Sequence, residues 1–171
     1  MTELSIVPEC YVDTKIAEII SQAKRKYNHQ HGCGDVANQL KNKLKDLPAL
    51  GIIDEDKNKG PVAKYFTEFE LLLEENGLIL KKHIQRQHYL ILICPEIENW
   101  LLNNAADINI NPLNFSLPVQ LAGLKKLTKS QDIDKNSGFC QFIKELKKNE
   151  APGIMTLSKW LASFTRNGSL V

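Results

Sequence analysis

Ala49-Leu50-Gly51-Ile52-Ile53-Asp54-Glu55-Asp56-Lys57 is the stretch on which the fold reading turns. Its apolar half, entered just after Pro48, is short and uninterrupted, so it reads as a β-strand. It stops abruptly in acids, and Gly60-Pro61 closes the loop that follows. Upstream, Leu4 to Val7 is a second short apolar run, halted by Pro8 and Glu9. Two helical patterns separate these strands. In the first, Asp13 or Thr14 serves as a cap and Ile16, Ile19, Ile20 and Ala23 share one face, with Lys24, Arg25 and Lys26 at the C-terminal end. In the second, Asp35 opens a helix that runs to about Leu44. Tyr27 to Gly34, between the helices, reads as loop or a very short strand. Strand–helix alternation of this kind predicts a parallel sheet.

Downstream, Val62 to Glu75 reads as a third helix closed by Asn76-Gly77. Leu78 to Ile84 and Tyr89 to Cys94 are two further strands. The polar Gln85-Arg86-Gln87-His88 between them is short enough for an antiparallel hairpin. Pro95 ends the last strand, and Glu96 to Asn104 makes a helix with Ile97, Trp100 and Leu101 inward. Beyond Asn109 the patterns are helical only: Val119 to Leu127, Gly138 to Lys147 and Met155 to Phe164. A boundary near Asn111-Pro112 divides the chain into an α/β domain, 1–110, and a helical C-terminal extension, 111–171, that packs on it.

The 171 residues fit one domain of this size, and 43% hydrophobic content supplies a core. A net charge of +2 gives little general attraction to polyanions, so any such binding needs a local patch. Cys10, Cys33, Cys94 and Cys140 form no CxxC pair, which argues against a zinc ribbon and against a disulfide scaffold. The opening residues lack the pattern of a secretory leader, and the longest apolar runs are too short to span a bilayer. The expectation is a cytoplasmic protein with no membrane partner.

The acids carry the chemistry. In open α/β sheets, ligands bind outside the carboxyl ends of the strands. If the first two strands lie parallel and adjacent, Glu9 meets Asp54 there. Asp54 and Asp56 have the period-two spacing that turns both carboxylates the same way in extended chain. Clustered carboxylates repel unless a cation or protons relieve them. Mg²⁺, or Mn²⁺ in its place, is the matching hard cation, and it can serve phosphoryl transfer. Lys57 and Lys59 follow directly and are candidates for holding a phosphate. The plainer reading makes Asp54 and Asp56 turn formers and Glu9 a solvated strand-end acid.

The order "VPE…DT" followed by "GIIDEDK" resembles the Toprim domains of topoisomerases, bacterial primases and OLD-family nucleases. There, a glutamate follows the first strand and an acidic DxD follows a later one. Glu9 matches the glutamate, and Asp54 and Asp56 match the DxD. "CPEIENWLL" is similar to the P-x-x-E-x-W-L-L segment of RloB-like and other small Toprim-like proteins associated with phage defence, with Glu98 and Trp100 at the matching positions. The likeness covers roughly residues 4–104. Cys10 stands where the family has a glycine, and the family's second strand is not evident beyond Tyr27 to His31.

The resemblance implies a three-layer sandwich with a mostly parallel four-stranded sheet, followed by the helical portion. It implies a Mg²⁺-dependent phosphodiester hydrolase or phosphoryl-transfer protein acting on DNA or RNA, with Glu9, Asp54, Asp56 and Glu98 toward the metal. The alternative is a non-catalytic Toprim-like binding or regulatory module with a protein partner. For Glu98 the competing role is a helix first-turn acid favoured by the dipole.

Three other features have plainer readings. His29, His31 and Cys33 alternate and carry zinc-type donors, but no fourth ligand is near and a polar loop is the default. Lys81, Lys82, Arg86 and His88 read as a basic, solvated hairpin. Cys10 lacks the basic neighbour a reactive thiol needs.

Overall fold

The computed structural model describes residues 5–24, 26–55 and 63–170. Its strands are β1 (Ile6–Pro8), β2 (Ala49–Asp54), β3 (Phe69–Glu75), β4 (Leu78–His83) and β5 (His88–Ile93). The α-helices are α1 (Tyr11–Ser21), α2 (Cys33–Asn38), α3 (Ile97–Asp107), α4 (Leu121–Thr128), α5 (Ser137–Lys148) and α6 (Pro152–Asn167). α2 runs on as a π-helical stretch, Gln39–Lys43.

The strands form one five-stranded sheet in the order β1-β2-β5-β4-β3. β1 pairs with β2 and β2 with β5 in parallel, whereas β4 is antiparallel to both β5 and β3. The fold is therefore α/β, but the sheet is mixed and has five strands where four mostly parallel ones were expected. The fifth strand is the second half of the expected helix over 62–75. Asn76 and Gly77 both have positive φ, 52° and 73°. That pair of conformations makes a two-residue hairpin turn whose twist matches its flanking strands. The same dipeptide that reads as a helix stop thus folds β3 back onto β4. The expected antiparallel β4–β5 hairpin is present.

Tyr27 to Gly32 has no regular strand, in line with the loop reading, yet it bonds to β1, and Cys33 and Gly34 already belong to α2. Asn28 donates its N–H to the Ile6 carbonyl, Gln30 to Pro8 and Gly32 to Glu9, each at 3.0 Å. The segment thus runs beside β1 on its outer edge. Pro8 has no N–H with which to return a bond, so the pairing is one-sided.

Side chains of β2 and β5 alternate between two cores. Leu50, Ile52, Tyr89, Ile91 and Ile93 join a cluster with α1, α3, α5 and α6. Val7, Ile53 and Leu90 join one with α2 and Tyr65, Phe66 and Phe69. Gly51 permits the second packing: a Cβ there would lie 3.0 Å from Leu90 Cδ1 and from Val36 Cγ1. Trp100 and Trp160 are buried, as their apolar helical faces predict. The expected basic hairpin is only partly basic, because His88 is fully buried. It is packed with Tyr65 on the face shared with α2.

α6 docks through polar contacts as well as apolar ones. Buried Asn104 on α3 accepts the Gly153 and Ile154 N–H groups with Oδ1, at 2.7 and 3.2 Å, capping α6 from a neighbouring helix. Asn76 donates to Thr156 Oγ1 at 3.0 Å, Thr156 donates to Glu75 at 2.8 Å, and Trp100 Nε1 donates to the Asn76 carbonyl at 3.0 Å. No helix among the described residues is long and apolar enough to cross a membrane.

Candidate functional site

β1 and β2 are parallel neighbours with Pro8 opposite Ile52, so their carboxyl ends deliver Glu9 and Asp54 to one place. Glu9 is fixed through its backbone first. Its N–H donates to the Ile52 carbonyl at 2.9 Å, and its own carbonyl accepts the Gly32 N–H. Its side chain then crosses to β2, where Oε2 accepts the Asp54 N–H at 3.0 Å. Glu9 as a whole is 7% exposed. Asp54 in turn accepts the Ile97 N–H with Oδ1 at 3.0 Å, at the first turn of α3. Asp54 thereby caps the first turn of α3, at the positive end of the helix dipole.

Asp13 lies one helical turn after Cys10, the residue that follows Glu9. Asp13, on the first turn of α1, is 2% exposed and accepts a bond from Cys10 Sγ at 3.0 Å. The expected cap at Asp13 or Thr14 is displaced: α1 starts at Tyr11, and the Thr14 hydroxyl donates back to the Cys10 carbonyl. Burial first, then the charges of Asp13 and Asp54, push the Cys10 thiol far above its usual range. Cys94 is pushed up to about 12 by burial and by Glu55, with Glu74 and Asp54 adding to it. Both thiols stay protonated at neutral pH, and neither is primed as a nucleophile.

Of the residues singled out from the sequence, Glu9 and Asp54 come together. Glu98, which follows Ile97 on α3, is buried and accepts a hydrogen bond from the Thr128 hydroxyl of α4, while Glu96 pairs with Lys125 of α4 at 3.0 Å. Asp56, Lys57 and Lys59 lie outside the described residues. Asp13 was read from the sequence only as a cap.

The rings of His29 and His31 meet, without a strand to align them. His29 stacks on Tyr11 with ring centroids 4.0 Å apart, and His31 meets His29 edge-on at 4.8 Å. Burial and the His31 charge lower the His29 pKa.

Among the described residues no three His, Cys, Asp or Glu side chains gather as a metal-binding group. The donor chemistry still suits Mg²⁺, which is commonly held by one or two carboxylates with water and substrate phosphate completing its shell. Glu9 and Asp54 supply that number. Comparison with protein-family models, with curated proteins and with solved structures finds no match to this chain.

Proposed function

We propose that the chain is a divalent-cation-dependent phosphoryl-transfer protein that cleaves phosphodiester bonds of nucleic acid, with Glu9 and Asp54 as the core of its Mg²⁺ or Mn²⁺ site. One observation carries the reading: residues 45 apart in sequence meet through the Glu9–Asp54 bond at the carboxyl ends of two adjacent parallel strands. The Toprim-like order of acids along the chain supports it. A bound ion would polarise a phosphoryl oxygen and sharpen a water for attack. The chain's own residues prepare the place. Glu9 and Asp54 are held by backbone bonds on rigid elements, so their carboxylates need no reordering to bind. In this reading Asp56 adds a third carboxylate, Lys57 and Lys59 hold the substrate phosphate, and Glu98 braces α4 against the site.

The test is cleavage of DNA and RNA by purified protein with Mg²⁺ or Mn²⁺, beside Asp54→Asn. The amide keeps an oxygen for the Ile97 N–H and removes only the charge. Activity in the native chain that falls by two orders of magnitude or more, roughly what a lost electrostatic contact at a reaction centre costs, supports the proposal. Equal activity in both, or none in either, contradicts it.

A second reading has its own observation. Glu9 and Asp54 each accept a backbone N–H, which is how a purely structural carboxylate is used. A non-catalytic binding module would show no cation-dependent cleavage, and Asp54→Asn would keep its partner binding.

A further inference from the structure

Among the described residues, β3 ends the sheet with an apolar edge. It is the last strand of the sheet. Of Phe69-Glu70-Leu71-Leu72-Leu73-Glu74-Glu75, all but Phe69 are exposed. Leu71 is 60% exposed, and Leu72 and Leu73 are each 42% exposed. The register with β4 shifts between Leu71 and Leu73, leaving Leu72 as the bulged residue. Ile84, 54% exposed, extends the patch, since its N–H bonds the Glu68 carbonyl just before β3. Folded proteins usually blunt such edges with lysine, proline, a bulge or a covering element, because a bare row of backbone donors and acceptors recruits another strand; β3 has the bulge at Leu72, yet its leucines stay exposed on either side of it. Here three consecutive leucines stand where lysines would be expected.

The charges say which strand fits. Glu70 faces Lys82 across the ladder, whereas Glu74 faces Ile79. Glu75 accepts from Thr156. The edge is therefore apolar with acids around it and is complementary to an extended segment of alternating apolar and basic residues. A second copy pairing antiparallel about Leu72 would set Glu70 against Glu74 and is opposed by like charge.

We infer that the β3 edge is a docking site for an extended, apolar-and-basic segment of a partner protein, bound by strand addition. Main-chain bonds would supply the affinity and the leucines and Glu74 the selectivity.

The probe is a synthetic peptide of alternating lysine and valine, with alternating glutamate and valine as its control. Binding is read by fluorescence anisotropy, and its location by amide hydrogen exchange. The lysine peptide should bind and slow exchange at the β3 amides. The glutamate peptide should bind at least about fivefold more weakly, the scale of a reversed cross-strand charge pair. Glu74→Lys should narrow or reverse that preference. Equal binding of the two peptides, no binding, or protection away from β3 overturns the inference. So does a concentration-dependent dimer whose β3 amides are protected without peptide, because the occupant would then be a second copy. The comparison of two peptides on the native chain decides the matter even where the variant misfolds.

Discussion

Asp54 holds two roles that substitution can separate. As a cap it accepts the Ile97 N–H, and Asp54→Ala should cost about 1–2 kcal/mol of stability by urea unfolding, while Asp54→Asn should cost much less. Gly77 is a sharper test of local geometry. At φ 73° a side chain is strained, and a Cβ would sit 2.8 Å from Trp100 Cδ1. Gly77→Ala should therefore destabilise by about 2–3 kcal/mol, with the Trp100 near-ultraviolet signal altered. His83 and His88 set a pH dependence. His88 Nε2 donates to the Leu44 carbonyl at 2.9 Å and Nδ1 bonds the Tyr65 hydroxyl at 2.6 Å, which it accepts from in the neutral ring that burial favours. His83 Nδ1 accepts two backbone N–H groups, leaving Nε2–H near Glu68 at 3.2 Å. Burial is the main cause lowering both pKa values below 6.5, ahead of any neighbouring charge. Below that pH the unfolded chain takes up protons the folded chain resists. The resulting stability is complete above about pH 6.5, and it falls as pH drops toward the depressed folded values. Melting temperature measured from pH 7.5 to 5 should decline, and His88→Gln should flatten the decline.

β3 shows at the level of elements where sequence reading failed and why. Phe69-Glu70-Leu71-Leu72-Leu73-Glu74-Glu75 has leucine and glutamate, both strong helix formers, and no alternation. The strand is specified by its turn and its partner. Asn76-Gly77 can close a hairpin, and β4 offers a free ladder, so tertiary pairing overrides propensity. β2 was legible because its apolar run is unbroken and its boundary in acids is abrupt. β4–β5 was legible because a short polar turn joins two apolar runs. The segment beside β1 was read as loop or a very short strand, and its bonds to β1 stop short of a ladder because Pro8 offers no N–H. Glu9 and Asp54 were readable because position relative to strand ends is a topological property. The engagement of Glu98 by Thr128 was not, since it depends on where α4 docks.

In the whole molecule the C-terminal helices share the sheet's core. Phe139, Phe142, Ile143, Leu146, Ile154, Leu157, Leu161 and Phe164 lie in one buried cluster with Leu50, Ile52 and Ile91. Residues 1–110 expressed alone should therefore lose fixed tertiary packing, seen as lost near-ultraviolet dichroism with helix and strand signals retained. The full chain should unfold in one calorimetric transition. Cooperative folding is also what assembles the acidic pair, since β1 and β2 must dock before Glu9 can reach Asp54. A cation held by that pair binds the folded chain alone and must raise its melting temperature with concentration. The decisive measurement is melting temperature against Mn²⁺ concentration for the native chain and for Glu9→Gln, whose amide oxygen can still accept the Asp54 N–H. The account predicts a saturable rise in the native chain that is largely lost in Glu9→Gln, while the two melt alike without metal. A native chain indifferent to Mn²⁺, or a variant that responds equally, would contradict it.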